Sequence, residues 1–444
     1  MAGYICHVVP PYILQALADA PEQHEHVREM AISTLATMKQ CHHERHKSSV
    51  EGASRTDLQE SSDSQHAPRP QAIVPDYILQ HIADAEDVGD DARSSAQDTL
   101  AASGQFRRTR AARAAIDDNA GTQFSAVAGA VPGPVQHPAF NQEIFDMQHK
   151  DVWEQLPGSV LLRKEGSAAV KDTTANEAHD NTLVVLNFFW DVFGYASVDN
   201  HNAKVRSSVH FGDKYANAVW YVDKNLGIEQ MVYGDGDGEN LGSFARALDV
   251  VGHEFTHGIT DFNSKLEYEG ESGALNEHLS DVFGILVKQK FENKKADAAD
   301  WLIGEACFMP AKKGVALRHM LHPGKAFARD PQPDHYTKIQ ETKNKFPMLK
   351  GTGEPADWGG VHYFSGIPNR AFALCALRFG GLAWEKAGRI WWNASIVKKA
   401  SIPPKCTFIQ FADVTVESAK ELYGADAATI VRDAWIQVGV ERKH

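Results

Sequence analysis

Two histidines four residues apart, with a glutamate beside the first, are the most chemically pointed feature of this chain. His253-Glu254-Phe255-Thr256-His257 lies in an apolar run where Phe244, Leu248, Val251, Phe255 and Ile259 recur at helical spacing. On a helix, a separation of four brings both imidazoles to one face about one turn apart, where they can share one tetrahedral zinc ion. Glu254 then points beside the metal toward its open position, as a general base would. Two histidines on an amphipathic helix can also be satisfied structural groups, so a catalytic reading needs a third ligand. Glu277 is the candidate, in a second helical run over 273–281, with nineteen residues between it and His257. Asp281 follows one turn on, on the same face, placed to accept the other ring N–H of a ligating histidine and fix its tautomer.

These side chains need a scaffold, and the pattern of the chain changes on either side of them. From about 155 to 235 short alternating segments at 159–163, 206–211 and 230–233 read as strands, interrupted by one apolar helical run over 183–193. Beyond 243 the period becomes helical, with Leu275, Leu279, Val282, Phe283 and Leu286 on one face. Further helices are predicted over 368–379, 382–400, 407–423 and 426–438, the last two opened by Thr407 and Asp426 as N-caps and parted by Gly424. The fold class is therefore α+β, a β-rich lobe followed by a mostly α-helical one.

Residues 1 to about 120 have another texture, rich in Ala, Gln, His and charge, and they contain a duplication. Val9 to Ala20 returns as Val74 to Ala85 with Tyr12-Ile13-Leu14-Gln15 matched by Tyr77-Ile78-Leu79-Gln80. The register continues through Arg28 and Arg93 to Ala36 and Ala101, which marks a duplicated helical module. The modules span about 1–47 and 70–112, and the Ser-rich stretch 48–70 between them reads as a flexible linker.

Over 444 residues the chain carries 45 basic and 58 acidic groups, net −13, a field that repels phosphate backbones and anionic lipid. Nucleic acid and membrane are thereby excluded as expected partners, and no stretch approaches the ~20 apolar residues of a spanning helix. Five scattered cysteines never pair as CxxC, against a disulfide framework. Pro10 and Pro11 interrupt the apolar residues near the start, so no standard signal peptide is visible. The expected location is the cytoplasm, or outside the cell by a leaderless route.

Several separated motifs now converge. They are Asn217-Ala218-Val219-Trp220, the run Met231 to Gly238, the HExxH helix, Tyr268 ahead of Glu271-Ser272-Gly273-Ala274-Leu275-Asn276-Glu277, and Asp357-Trp358-Gly359-Gly360-Val361-His362. From about Leu156 to the C-terminus the sequence resembles the thermolysin family of zinc endopeptidases, especially its protealysin-like branch with short propeptides. The resemblance implies a two-lobed fold with the zinc cleft between the lobes, divided at about 121–260 and 261–444, and 1–120 as a propeptide. It implies His253, His257 and Glu277 as zinc ligands, Glu254 as the base, and Tyr268 and His362 as stabilisers of the tetrahedral intermediate, with Asp357 orienting the imidazole. It implies that Asn217 and Ala218 hold the substrate backbone, that Arg318 binds the carbonyl of the first primed residue, and that Leu241, Phe244, Val250, Ile303 and Leu317 line an apolar pocket for that residue. Cleavage on the amino side of hydrophobic residues follows from such a pocket.

Two other readings compete. A zinc aminopeptidase is disfavoured because those enzymes usually have one fewer residue between the second histidine and the glutamate, and the GAMEN segment is absent. A catalytically silent binding protein is disfavoured because every site position holds a competent residue. The chain also departs from the family pattern. Asp249, Asp300 and Glu305 remain of the paired calcium ligands, but Lys288, Leu302 and Ala306 stand at three ligand positions, so calcium is possible while the double site is expected to be lost. A six-residue insertion at 221–228 is expected at the cleft rim. Cys6 or His7 could reach the zinc as a latency ligand, although an inert Cys6 is favoured, and Ala115-Ile116 and Gln123-Phe124 are candidate self-cleavage bonds.

Overall fold

The computed structural model describes residues 137–440 apart from 214, 224–225, 237–240, 265, 310–314, 328–329 and 343–356. The repeated modules, their linker, Cys6, His7 and both candidate self-cleavage bonds lie outside the described residues.

Extended segments of the first lobe assemble as β1 (Gln142–Asp146), β2 (Val160–Lys164), β3 (Val205–Val209), β4 (Ala218–Asp223) and β5 (Ile228–Tyr233), in the spatial order β2-β1-β3-β5-β4. β1, β3 and β5 run parallel to one another, while β2 and β4 pair antiparallel at the two edges. Helix α1 (Thr173–Phe193) connects β2 to β3 and is much longer than the apolar run that predicted it. Its polar first turns are started by Asp172, whose side chain accepts from the Ala175 N–H, and Gly194 in the left-handed region closes it.

β4 is the edge strand that contacts the helix over 248–263. Asn217 O accepts from Gly234 N at 2.9 Å, so alternation along an antiparallel strand leaves the backbone groups of Ala218 and Trp220 directed to the outer edge. The insertion at 221–228 does not sit beside Asn217, as expected of a cleft rim. It lengthens the β4–β5 hairpin at the far end, where Asp223 pairs with Ile228.

Helix α2 (Leu248–Asn263) closes the first lobe and packs on α3 (Gly270–Phe291), which opens the second. Phe244 is not part of α2, contrary to the sequence reading. It belongs to a separate 3-10 turn, Phe244–Arg246, and α2 begins only at Leu248. Every residue of α3 from Ser272 to Val287 is buried, so its polar side chains are interior groups rather than a wetted face. After the short strands β6 (Leu302–Ile303) and β7 (Arg318–His319) come α4 (Thr337–Thr342), α5 (Asp357–Phe364) and α6 (Gly366–Phe379). The single helix predicted over 382–400 is divided into α7 (Ala387–Trp392), a wide π turn Asn393–Val397 and a 3-10 turn. Ser395 Oγ bonds back to Trp391 O at 2.8 Å there, a local competitor of the α-helical ladder. α8 (Phe408–Tyr423) starts with the expected Thr407 cap, reinforced by Gln410. α9 (Ala425–Gln437) is preceded by Gly424 at φ 86°, and Asp426 lies in its first turn rather than capping it. Among the described residues no helix is long and apolar enough to cross a membrane.

Two glycines set the distance between α2 and α3. A Cβ on Gly252 would stand 3.0 Å from Gly284 Cα, and one on Gly284 would stand 2.4 Å from Asp249 O. Substituting Gly284→Ala is expected to cost ~1–3 kcal/mol through overpacking against backbone that cannot move aside alone. The measurement is the urea midpoint at constant slope, and an unchanged midpoint would show that the two helices separate freely.

Candidate active site

The close approach of α2 and α3 brings their polar side chains into one buried cluster. His253 Nε2 and His257 Nε2 face each other at 3.0 Å, and Glu277 reaches both, at 3.5 Å from each. All three side chains are fully buried. Three donors bound ~2.0–2.2 Å from one tetrahedral zinc stand roughly 3.3–3.5 Å apart, so this triangle needs almost no adjustment to hold the ion. Glu277 Oε2 and both carboxylate oxygens of Glu254 are buried without a hydrogen-bond partner, which in a native interior calls for a ligand. The residues present fit a zinc ion.

Each imidazole is turned toward the triangle by its other nitrogen. His253 Nδ1 bonds Asp281 Oδ1 at 2.9 Å, the pairing expected from the sequence. His257 Nδ1 lies 3.1 Å from Asn276 Oδ1 and 3.0 Å from Ser280 Oγ. Asn276 and Ser280 were not anticipated. Their spacing of four on α3 parallels that of Glu277 and Asp281, a signal visible once the helix is known to be buried all round.

Asp281 is the most heavily bonded carboxylate of the site. Arg318 donates to it twice, Nε to Oδ2 at 2.7 Å and a terminal nitrogen to Oδ1 at 2.6 Å, and Asn369 Nδ2 donates to Oδ2 at 2.8 Å. Burial alone would raise its pKa, but Arg318 and then His253 outweigh that effect and hold the carboxyl well below its usual range. The network continues outward: Asn369 Oδ1 meets His278 Nδ1 at 2.8 Å, and Trp391 Nε1 donates to His278 Nε2 at 2.8 Å. Burial pushes His278 down to about 4, which keeps it neutral in that relay. His253 is the opposite case, since burial disfavours its charge but Asp281 and Glu277 outweigh burial and lift it to about 9. Binding a metal there must displace that proton. Burial raises Glu254 to about 8, opposed by the charge of His253.

Tyr268, His362 and Asp357 close the cluster on the other side. The Tyr268 hydroxyl donates to Glu277 Oε1 and lies 3.4 Å from His362 Nε2. His362 Nδ1 pairs with Asp357 Oδ1 at 2.6 Å, and the second Asp357 oxygen accepts from the His362 backbone N–H at 3.1 Å. Asp357 sits at φ 50°, with Gly359 at 78° and Gly360 at 89°, so the start of α5 departs from right-handed helical backbone while one Asp357 carboxylate holds both the backbone N–H and the ring of His362. Arg318 is 1% exposed and is occupied by Asp281, a role the sequence reading did not include beside substrate binding.

The five residues expected to line a specificity pocket are all fully buried. Leu241 bridges to Phe308, Ile303 pairs with Arg318, and the Leu317 N–H bonds Ile303 O at 2.8 Å, so Leu241, Ile303 and Leu317 belong to connected segments. Val250 enters from α2 and Phe244 from the turn before it. Cys307 is likewise buried, and burial drives its thiol pKa well above the usual range, as fits a small apolar group.

Replacing Asp281 by Asn should weaken zinc binding by about 10- to 100-fold, because His253 loses the acceptor that orients it. It should also destabilise the fold, since Arg318 is left buried with a neutral partner. Metal content after dialysis and the melting temperature check the two effects separately, and a variant matching wild type in both would remove Asp281 from the site.

A family model described as the catalytic domain of thermolysin metallopeptidase matches residues 135–261, and one described as its alpha-helical domain matches 264–440. An extracellular metalloprotease of Pectobacterium carotovorum subsp. carotovorum is 41% identical over 306 residues, spanning 68% of this chain and 81% of that one. Protease PrtS of Photorhabdus sp. (strain Az29) is 37% identical over 313 residues, or 68% and 79% of the two chains. The solved precursor of protealysin, a metalloproteinase from Serratia proteamaculans, is similar with a TM-score of 0.63 and 36% identity over 83% of this chain and 99% of that one. The boundary between the two family models falls at the end of α2, where the β-rich lobe gives way to the helical one. The chain therefore belongs to the thermolysin family of metallopeptidases.

Proposed function

We propose that this protein is a zinc endopeptidase, made as a latent precursor, that hydrolyses peptide bonds on the amino side of hydrophobic residues. The observation that carries the reading is the convergence of His253, His257 and Glu277 with the unpartnered Glu254 carboxylate, in a site flanked by Tyr268 and His362.

His253, His257 and Glu277 would hold the zinc, which when bound supplies Lewis acidity to the scissile carbonyl and to the attacking water. Glu254 takes a proton from that water and returns it to the leaving amine. The Tyr268 hydroxyl and His362 Nε2 donate hydrogen bonds to the oxyanion, and Asp357 stabilises the imidazolium by accepting from Nδ1. The Asn217 side-chain amide N–H and the outward carbonyl of Ala218, whose own N–H is taken by Asn217 Oδ1 at 3.0 Å, hold the substrate as a strand added to the outer edge of β4. Arg318 meets the carbonyl of the first primed residue, and Leu241, Phe244, Val250, Ile303 and Leu317 surround its side chain. Burying a Leu or Phe side chain is worth ~1.5–3 kcal/mol, enough to set a preference. Peptides, proteins and the chain's own propeptide are the partners; the acidic net charge argues against nucleic acid and membrane surfaces.

Residues 1 to about 120 precede the first family match, which begins at 135, and likeness to a solved protealysin precursor supports their reading as a propeptide. The first module is the better candidate for the cleft, having the double proline, with the second as a spacer or a partner-binding helix pair. Cys307, Cys375 and Cys406 are free and buried, compatible with a reducing compartment or a leaderless exit from one.

Lys288 Nζ donates to Asp300 Oδ1 at 3.2 Å and to Leu302 O at 3.1 Å, and stands 3.9 Å from Asp249 Oδ2. Burial works against its charge, but Asp249 and Asp300 outweigh burial and raise its pKa. We read this ammonium as the occupant of the space that paired calcium ions would need.

Glu254→Gln is expected to retain zinc and fold while losing at least ~100-fold in turnover of casein and of N-blocked peptides. In the same preparation the wild type should shorten its own N-terminal region while the variant stays intact. Wild-type activity should vanish with a chelator and return with zinc. Substantial activity in the variant, or none toward blocked peptides in the wild type, would sink the endopeptidase mechanism. At fixed zinc, the melting temperature should barely respond to calcium or its removal, since a ligand bound only by the folded state would otherwise raise it. A large calcium-dependent rise would refute the substitution by Lys288.

A further inference from the structure

A second cluster of metal-ligating side chains lies outside the site above, at the ends of three parallel strands. β1, β3 and β5 run side by side, so the residues that follow them emerge at one edge of the sheet: His149 after β1, His210 after β3 and Asp235 after β5. One ligand atom from each lies within 4.8 Å of the other two. His210 Nδ1 is 2.8 Å from Asp235 Oδ2, and His149 Nδ1 is 3.7 Å from the same oxygen. These two separations bracket the 3.0–3.5 Å among His253, His257 and Glu277, and the two imidazoles lie within 4.8 Å of each other, so side-chain adjustment would bring all three onto one ion.

Three further observations point the same way. His210 Nε2 is held by Asp172 Oδ2 at 2.8 Å, and a carboxylate on the far nitrogen is the arrangement that orients a ligating histidine and raises its basicity. Asp172 is itself fixed, since its other oxygen caps α1. Asp235 Oδ1 is buried without a hydrogen-bond partner, leaving acceptor capacity that no protein group uses. The His149 backbone N–H also bonds His210 O at 2.9 Å, which holds the two histidine-bearing strand ends together.

We propose that His149, His210 and Asp235 form a second site for a zinc-like divalent transition metal, with Asp172 as the positioning carboxylate of His210. Two imidazoles and one carboxylate select zinc and its neighbours over calcium or magnesium, which prefer oxygen. The His149 side chain is 60% exposed, so a fourth position would be open to water. A metal here would tie the β1 and β3 ends to the loop after β5. The Gly234 and Gly236 N–H groups of that loop bond Asn217 O and Tyr215 O, so the tie would brace the approach to the outer strand of the sheet. The site shares no residue with the His253 cluster and stands whether or not the chain is a peptidase.

The test is equilibrium dialysis of the full chain against zinc, in a Glu254→Gln background so that the protein is not digested, with metal counted per chain. Added His149→Ala and Asp235→Asn should each bind one zinc fewer than this parent, and Asp172→Asn, which keeps the helix cap, should bind that zinc roughly 10- to 100-fold more weakly. The exposed His201→Ala serves as the control and should match the parent. Zinc should also raise the melting temperature of the parent beyond that of His149→Ala, whose exposed side chain can be removed without harm to the fold. Equal zinc uptake by the parent, His149→Ala and Asp235→Asn would overturn the proposal, as would the same loss in His201→Ala.

Discussion

The distance between α2 and α3 is the constraint on which the active centre depends. Two histidines sit on one helix and the third candidate ligand on the other, so the triangle closes only if the backbones approach to the point where Gly252 and Gly284 leave no room for a Cβ. A larger residue at either position would hold the donors apart by about the width of a methyl group. That difference separates a site that clasps an ion from three unrelated polar side chains.

So close a crossing buries whatever the facing surfaces carry, and here they carry charge. The arrangement is tolerable because Asp281 compensates several groups at once, orienting His253 while pairing with Arg318 and accepting from Asn369. Burying an ion pair costs several kcal/mol per ion before the partners repay it, so the arrangement contributes geometry more than net stability. Its reach out to His278 and Trp391 explains why α6 and α7, remote in sequence, belong to the architecture of the metal centre.

The β-rich lobe contributes by a different principle. Its parallel strands end together, which gathers loop residues at one edge, and its outer antiparallel strand leaves backbone groups of Ala218 and Trp220 directed away from β5. An edge strand is an aggregation hazard in most proteins, and here it lies against α2, where under the proposed function an extended peptide pairs with it. At the other end of the hairpin the inserted residues only extend the pairing, away from the metal cluster.

What the sequence determined by itself was local chemistry. Helical periodicity placed His253 and His257 on one face, and the same spacing linked Glu277 to Asp281, because a helix repeats every 3.6 residues whatever surrounds it. Motif resemblance added Tyr268, Asp357 and His362, and the Thr407 cap was legible from its own short-range hydrogen bonds. Tertiary structure decided the rest. Asn276 and Ser280 look like ordinary polar helix positions until α3 is found buried on every side, and Arg318 becomes the partner of Asp281 only because β7 is folded against α3. The gathering of His149, His210 and Asp235 was equally invisible. Each depends on contacts between segments far apart in the chain, and side-chain periodicity carries no information about which distant surface a given face will meet.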